Sequence, residues 1–191
     1  PLDDVKDAAA RLAEIILADV EVERGQKMRA AEELSNVVRQ ATGVAKAPYV
    51  ADFVRILVEN GEKPVVYCWH REVYDILISR FSAHGIKHAM YTGTETPAQK
   101  QMAKDAFIHG QVDVLLMSLR AGAGVDGFQK SCRTVVFGEL DWSPGVHEQC
   151  VGRVHRDGQK DPVSVYFLIT DGGSDPIVAD TLGLKREQIE G

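Results

Sequence analysis

From Ala47 onward the sequence alternates short runs of Val, Ile and Leu with amphipathic segments, and this alternation constrains the fold more than any other feature. Five apolar runs are predicted strands: 64–69, 87–91, 112–117, 134–138 and 162–169. Four segments of helical periodicity lie before or between them: 48–60, 72–83, 97–109 and 144–156. Apolar strands separated by helices are typical of a parallel sheet covered on both faces. The predicted fold class is therefore α/β, as a three-layer α/β/α domain with a mainly parallel sheet.

The first 46 residues have a different pattern from the rest of the chain. Two amphipathic helices are predicted there, one with Val5 and Ile16 on its apolar face and one with Met28 and Val38. The glycine and charges of residues 21–27 predict a loop between them. Because such a hairpin cannot fold alone, we expect an N-terminal helical hairpin, residues 1–46, attached to an α/β domain, residues 47–191.

Composition excludes several classes of protein. The chain has 22 Lys and Arg against 28 Asp and Glu, so its net charge of −6 argues against polyanion binding by the whole surface, although a local basic groove stays open. Three cysteines without CxxC spacing support neither a disulfide framework nor a zinc knuckle. No apolar run approaches the ~18 residues of a membrane span, and the acidic start is unlike a secretory signal. We therefore expect a cytoplasmic protein without a membrane partner, and the absence of Met at position 1 suggests a piece of a longer polypeptide.

In parallel sheets, ligands bind at the carboxyl ends of the strands, so the segments after the predicted strands are candidate sites. Three of them stand out: 70–72, 118–127 and 139–145. The second contains Gly122, Gly124 and Gly127 in the GxGxxG spacing of dinucleotide-binding turns. Only residues 128–133 separate Gly127 from the next strand, which is too short for the crossover helix that such a turn begins. We interpret these glycines as a loop that lets a ligand or phosphate approach the backbone closely.

The predicted helix 144–156 contains a Q-x-x-G-R-x-x-R pattern. Gln149, Arg153 and Arg156 are four and three residues apart, which places them on one helical face, and Gly152 would let the helix pack against a neighbour. Guanidinium groups match phosphate oxygens bidentately and stay charged at any working pH, so this pair predicts an anionic ligand. The alternative is that both arginines form surface salt bridges. The acidic residues within reach are Glu148, Asp157 and Asp161.

Together these segments resemble the superfamily-two helicases of the Swi/Snf type, especially the branch containing annealing helicases and their bacterial or phage relatives. Residues 135–159 (VVFGELDWSPGVHEQCVGRVHRDGQ) look like the region of motifs five to six, and residues 118–127 (SLRAGAGVDG) resemble motif five. Residues 64–77 (PVVYCWHREVYDIL) resemble motif four, and residues 91–107 (YTGTETPAQKQMAKDAF) resemble the segment and helix that follow it. The resemblance covers about residues 42–170. The chain departs from the family pattern at Asp126, often Asn or Thr, at Gly127, which looks inserted, and at Gly152, which replaces an acidic residue.

The resemblance implies a RecA-like domain that is the second of two lobes in a DNA-dependent ATPase. The family holds ATP and Mg²⁺ with a GxxxxGK[ST] loop and an acidic box in its first lobe, and this sequence has neither. ATP and Mg²⁺ are thus expected in the two-lobe parent, with none bound tightly by this chain. The implied partners are DNA, duplex or branched, and the N-terminal RecA-like lobe of the same polypeptide. The hairpin 1–46 then resembles the family's helical protrusion.

The same resemblance assigns roles to individual residues. Arg153 and Arg156 would be arginine fingers that act with Gln149 at the γ-phosphate. Gly124 and Asp126 lie in the segment that couples nucleotide to DNA and would contact the nucleotide. DNA contacts are expected at His70, Thr92, Gly93, Ser118, Arg120 and Trp142.

Several residues also have simpler interpretations. Cys150 is expected to fill the core and Trp69 to cap it, whereas Trp142 is open between the core and stacking on a base. Ser118 and Arg120 equally fit solvated strand ends. No pair of histidines has the spacing of a helical metal site, so no metal site is predicted. Two other functions stay open: a non-catalytic nucleic-acid or protein binding module, and a dinucleotide-dependent oxidoreductase, which the missing crossover helix disfavours.

Overall fold

The computed structural model describes residue 7 and residues 24–121 and 127–183, with the backbone alone for residues 24–31 and 181. Within this range five strands form one parallel sheet in the order β2-β3-β1-β4-β5. The strands are β1 (Pro64–Cys68), β2 (His88–Tyr91), β3 (Val114–Ser118), β4 (Thr134–Phe137) and β5 (Ser164–Phe167). Each corresponds to a predicted apolar run, so the predicted parallel sheet is confirmed.

The described helices are α1 (Arg24–Glu59), α2 (Arg71–Ala83), α3 (Pro97–Ile108), α4 (Pro144–Gly152) and α5 (Asp175–Leu182), of which α5 was not predicted. Residues Phe128–Lys130 form only a 3₁₀ turn, so no crossover helix follows the glycine-rich segment and the dinucleotide interpretation fails as expected. Helix α3 begins as predicted, with Pro97 in its first turn. Thr96 Oγ1 accepts a hydrogen bond from Gln99 N at 3.2 Å, and Gln99 Oε1 accepts one from Thr96 N at 2.9 Å. Among the described helices, none is long and apolar enough to cross a membrane.

Helix α1 runs without interruption through Pro48, so the prediction of separate helices on either side of residue 47 is wrong. Proline removes one backbone hydrogen bond, but the buried side chains of Ala47, Val50 and Val54 hold this part of the helix by packing. Residues 24–27 of the predicted loop are also helical. The first predicted helix lies outside the described residues apart from Asp7. The division into a hairpin 1–46 and a domain 47–191 therefore stays a prediction.

By its internal contacts the chain divides into two compact units, Lys46–Leu168 and Pro1–Ala45 with Ile169–Gly191. In the second of these units the segment before α5 lies directly on α1. Thr42 Oγ1 donates to Val38 O at 2.6 Å and accepts from Ser174 N at 3.1 Å. Gly173 has a φ of +70°, and a Cβ there would lie 2.3 Å from Thr42 Oγ1. Only glycine fits both this backbone conformation and this approach.

The core of the unit Lys46–Leu168 is centred on β1, β3 and β4, which are buried along their whole length. Tyr67, Phe137 and Phe167 stack across neighbouring strands, with ring centroids 5.5 and 4.8 Å apart. The three cysteines are free and buried, which confirms Cys150 as a core residue. Burial raises the pKa of Cys132 to about 11 and that of Cys150 to about 12.

The strand order creates a crevice between the ends of β1 and β4. These strands are neighbours, yet the chain leaves β1 toward β2 on one side and β4 toward β5 on the other. Because parallel crossovers are right-handed, α2 and α4 lie on opposite faces of the sheet. The ends of β1 and β4 therefore form the topological switch point at which open α/β sheets bind ligands.

Candidate functional site

One buried carboxylate, that of Glu139, joins the carboxyl ends of β1 and β4. Its Oε2 accepts hydrogen bonds from the backbone N–H groups of Trp69 at 2.7 Å and His70 at 2.9 Å, and its Oε1 lies 2.5 Å from His70 Nδ1. The Glu139 side chain is only 5% exposed, so these donors replace water around the carboxylate. An ionised carboxylate only accepts, which assigns the shared proton to His70 Nδ1 when Glu139 is ionised. Glu139 thus fixes the start of the β1–α2 connection at the switch point.

Gly138 allows β4 to lie close to β1 at the same place. Its N–H donates to Tyr67 O at 3.0 Å. An added Cβ would lie 2.8 Å from Cys68 Sγ and 3.2 Å from Val50 Cγ1, both closer than ordinary contact. Because Gly138 does not have a positive φ, the glycine is required by packing and not by backbone conformation.

Arg120, which follows β3, forms a bidentate pair with Asp141, which follows β4. Arg120 Nε lies 3.1 Å from Asp141 Oδ2, and Arg120 Nη2 lies 3.1 Å from Asp141 Oδ1. Asp141 Oδ1 also accepts from Ser143 N at 2.9 Å. The Asp141 side chain is 6% exposed and the Arg120 side chain 55% exposed, so a buried carboxylate holds an arginine that still faces solvent. The alternative interpretation of Arg120 as a solvated residue at a strand end therefore does not describe this arrangement.

Ser118 lies at the end of β3 and is buried, with 8% of its surface exposed. Its Oγ accepts from Arg120 N at 3.4 Å, so the hydroxyl belongs to the turn that leads to Arg120. A DNA contact by Ser118 stays a prediction.

Helix α4 is tied to the strand ends by polar contacts. His147 Nε2 lies 3.1 Å from Asp141 N and 2.9 Å from Asp141 O. Tyr67 OH donates to Cys150 O at 3.2 Å, and Cys150 Sγ donates to Leu119 O at 3.4 Å. The segments after β1, β3 and β4 therefore share one scaffold with α4.

The three residues proposed to act on phosphate do not share a helical face, and that prediction is wrong. Helix α4 ends at Gly152, a residue with poor helix propensity, and Arg153 N bonds to Cys150 O at 3.4 Å in a tighter turn. Arg153 lies in this turn and its Nη2 donates to Ala121 O, immediately before the glycine-rich segment. Gln149 and Arg156 are exposed. A Cβ on Gly152 would meet no atom within 4 Å, so the prediction that this glycine lets the helix pack closely against a neighbour is wrong.

The segment after β2 is organised by Glu95. Thr92 N donates to Glu95 Oε2 at 2.8 Å, and Thr92 Oγ1 lies 2.9 Å from the same atom. Burial raises the pKa of Glu95, but hydrogen bonds from Thr92, from Thr94 and from the Glu95 backbone outweigh burial and hold this pKa below its ordinary value. Thr92 is 6% exposed, whereas Gly93 is exposed with open space around it. DNA contacts by these two residues stay predictions.

The two tryptophans differ in exposure. Trp69 is 45% exposed, so the prediction that it caps the core is wrong. Its backbone N–H is held by Glu139 at the point where the chain leaves the buried strand. Trp142 is half-buried and follows Asp141 directly in the chain, and the His70 side chain is 15% exposed. The predicted DNA contacts at Trp142, His70 and Arg120 therefore belong to segments of one edge of the sheet.

Two predicted nucleotide contacts, Gly124 and Asp126, lie outside the described residues. Among the residues that the structure describes, no group of three or more His, Cys, Asp or Glu side chains is placed to hold a metal ion.

Sequence reasoning missed the two carboxylates that organise the site, Glu139 and Asp141. Both lie in the segment after β4, two residues apart. Acidic residues are rarely buried unless they are paired. Two acids shortly after a buried strand were therefore a sign that both would be buried with donors from neighbouring loops.

Comparison with known proteins agrees with this architecture. The helicase conserved C-terminal domain family matches residues 45–158. The chain is 32% identical over 151 residues to a bovine (Bos taurus) SWI/SNF-related matrix-associated actin-dependent regulator of chromatin subfamily A-like protein 1, an alignment that covers 76% of this chain and 16% of that protein. It is 30% identical over 119 residues to helicase swr-1 of Neurospora crassa, which covers 62% of this chain and 6% of that protein. The chain therefore spans a small part of the relatives it matches.

The C-terminal part of the Fun30 ATPase domain has the same fold. Its crystal structure superposes with a TM-score of 0.65 at 18% identity and covers 98% of this chain and 68% of that structure. This likeness confirms the predicted RecA-like α/β fold. The family match covers more than half of the chain, from α1 to the turn beyond α4. The chain belongs to the helicase conserved C-terminal domain family.

Proposed function

We propose that the chain is the C-terminal RecA-like lobe of a DNA-dependent ATPase that translocates on DNA. The observation that carries the proposal is the hydrogen bond from Arg153 Nη2 to Ala121 O, which ties the turn after α4 to segment 118–127 immediately before its glycines. These are the two segments that resemble motifs six and five. Arg153, held against Ala121, would link a contact with the nucleotide to the segment 118–127, which is proposed to face DNA.

The donors present here suit the phosphates of ATP better than its metal ion. Arg153 and the exposed Arg156 follow α4 closely, and guanidinium groups bind phosphate oxygens through paired N–H donors. The proposed lobe leaves Mg²⁺ and most of the nucleotide to the N-terminal lobe of the same polypeptide. When ATP and the other lobe are present, Arg153 and Arg156 neutralise charge that develops on the γ-phosphate, and Gln149 contributes a polar contact.

The same edge of the sheet supplies the proposed half of the DNA track. Arg120 and Trp142 extend from neighbouring segments there, together with His70 and the turn that contains Thr92 and Gly93. Relatives that are named as helicases and as regulators of chromatin support a nucleic-acid partner. Gly124 and Asp126 are proposed to couple the nucleotide to this track. Membership of the annealing-helicase branch and a cytoplasmic location stay predictions.

The test is steady-state ATPase activity of the full-length protein with saturating duplex DNA. Arg156→Ala is expected to lower turnover by ~10³ to 10⁵, about 4 to 7 kcal/mol of transition-state stabilisation, while the melting temperature stays unchanged. Arg156→Lys is expected to be nearly as damaging, because an ammonium lacks the bidentate fork. Arg80→Ala, which removes an exposed arginine from the last turn of α2, is the matched control and is expected to keep full activity.

A surface salt bridge would contribute only ~0 to 1 kcal/mol, so the two interpretations of Arg156 differ widely. If both Arg156 variants melt normally and retain more than about a tenth of wild-type turnover, the finger assignment is wrong. A full-length protein that binds DNA but shows no ATPase activity would instead support the binding-module alternative.

A further inference from the structure

Two bidentate pairs of arginine and carboxylate lie at opposite ends of the strands. Arg120 and Asp141 follow β3 and β4 at the carboxyl edge, whereas Glu62 and Arg133 precede β1 and β4 at the amino edge. In the second pair Arg133 Nη2 and Nε lie 2.8 and 3.3 Å from the two Glu62 oxygens. The arginines are similarly exposed, at 55% and 49% of their side chains. The pair of Arg133 and Glu62 at the amino edge is therefore a matched control for experiments on the pair of Arg120 and Asp141.

We propose that Asp141 is a positioning residue, which holds Arg120 so that the free side of its guanidinium group meets a DNA phosphate. This inference rests on the proposed function, because it assumes that the carboxyl edge contacts DNA.

The geometry leaves Arg120 able to bind a second anion. A guanidinium group has five N–H donors, and Asp141 takes one from Nε and one from Nη2. Within the part of the chain that the structure describes, no acceptor binds the remaining three donors of Arg120. Since more than half of the side chain is exposed, a phosphate reaches these donors without displacing Asp141.

Asp141 itself is held firmly, which is what a positioning role requires. Its carboxylate accepts from Ser143 N at 2.9 Å, and its backbone N and O both contact His147 Nε2. A free arginine loses rotamer freedom when it binds, and an anchored one has already lost it. The anchoring therefore favours the phosphate contact even though Asp141 carries a negative charge.

The experiment measures binding of the 191-residue chain to a fluorescein-labelled blunt duplex of mixed sequence by anisotropy, from about 50 to 200 mM salt. Arg120→Ala and Asp141→Asn form a double-mutant cycle, with Arg133→Ala and Glu62→Gln as controls that make the same charge changes at the amino edge. In Asp141→Asn the amide NH₂ opposes an arginine N–H, so Arg120 is released while Ser143 N keeps an acceptor. Thermal melting of every variant confirms the fold.

Arg120→Ala is expected to weaken binding about tenfold and to lower the magnitude of the log–log salt slope by about 0.9, the value of one phosphate contact. Asp141→Asn is expected to weaken binding at least about threefold, although it removes a negative charge, and to add nothing in the Arg120→Ala background. Both amino-edge controls are expected to keep the wild-type slope. Arg120→Lys, which keeps the charge but not the bidentate pair, is expected to match Asp141→Asn and covers the case in which Asp141→Asn does not fold.

Tighter binding by Asp141→Asn would overturn the inference, because Asp141 would then compete with phosphate for Arg120. Effects of Asp141→Asn and Arg120→Ala that simply add, or full wild-type affinity in Arg120→Lys, would overturn it as well. If Arg120→Ala changes neither affinity nor slope, Arg120 makes no phosphate contact and the inference fails. The proposed function would then still be judged separately, by the ATPase activity of the Arg156 variants.

Discussion

Removal of Glu139 is expected to destabilise the chain more than removal of any ordinary surface acid. In Glu139→Ala the backbone N–H groups of Trp69 and His70 lose their acceptor, and each unsatisfied buried donor costs about 1 to 3 kcal/mol. The expected loss in the free energy of unfolding is therefore about 2 to 6 kcal/mol. For a chain of 191 residues a loss of 2 kcal/mol lowers Tm by about 4 to 8 °C.

Glu139→Gln separates the charge of the side chain from its shape. The amide oxygen still accepts from the two backbone N–H groups, but each charge-assisted bond becomes a neutral one. Such bonds differ by about 1 kcal/mol, so we expect a loss of about 2 kcal/mol. Glu148→Ala is the matched control, because it removes an exposed glutamate from α4 and is expected to change stability by less than about 0.5 kcal/mol.

Urea unfolding followed by circular dichroism gives the free energy of unfolding of the wild type and of the three variants. Amide hydrogen exchange reports the local stability at individual backbone N–H groups. Exchange at Trp69 and His70 is expected to accelerate in Glu139→Ala before global unfolding. An alanine variant that is as stable as Glu148→Ala, with unchanged exchange at these amides, would refute the reasoning that Glu139 anchors the end of β1.

Three further predictions concern other parts of the unit Lys46–Leu168. Gly138→Ala is expected to lower the free energy of unfolding in urea by about 1 to 3 kcal/mol, because the new Cβ would lie 2.8 Å from Cys68 Sγ. Gly152→Ala places its Cβ in open space and is expected to be neutral or stabilising. Equal stabilities of the two variants would contradict this prediction. Thr92→Val is expected to raise the pKa of Glu95, measured by NMR titration, because it removes a hydroxyl donor. In the wild type the lowered Glu95 pKa stabilises the fold above about pH 4.5, and this stability is lost as the pH falls through the pKa of the folded state. An unchanged Glu95 pKa in the variant would contradict a role of the Thr92 hydroxyl. The thiols of Cys132 and Cys150 are expected to react with a disulfide reagent at neutral pH only when the chain unfolds, because burial raises their pKa to about 11 and about 12. Rapid reaction of the native chain would contradict their burial.

The sheet was predictable because short, mainly apolar runs separated by helical segments have few alternatives to a covered parallel sheet. Helix boundaries were less predictable where local and tertiary effects compete. Pro48 signalled a helix start, yet packing of its neighbours carries α1 through it. Gly152 signalled close packing, yet it ends α4 and places Arg153 in a turn.

The candidate site was predictable in its location and less so in its contacts. The strand ends that the sequence singled out do lie at one edge of the sheet, because all five strands are parallel. The roles of Glu139 and Asp141 depend on donors that are distant in sequence, 69 or 70 residues away for Glu139 and 21 for Asp141. Such pairings follow from strand order, which periodicity does not encode. The exposure of Trp69 likewise depends on how Glu139 holds the backbone at that point.

The most direct test of the central claim is the rate of ATP hydrolysis by the purified 191-residue chain with Mg²⁺ and saturating duplex DNA, compared with that of the full-length protein. If the chain is the C-terminal lobe, it hydrolyses ATP no faster than background, because its arginines have no bound Mg-triphosphate to act on, while the full-length protein shows DNA-stimulated turnover. The chain carrying Arg156→Ala serves as the control for a contaminating ATPase. DNA-stimulated turnover by the wild-type chain that Arg156→Ala abolishes would contradict the assignment to one lobe of a two-lobe motor.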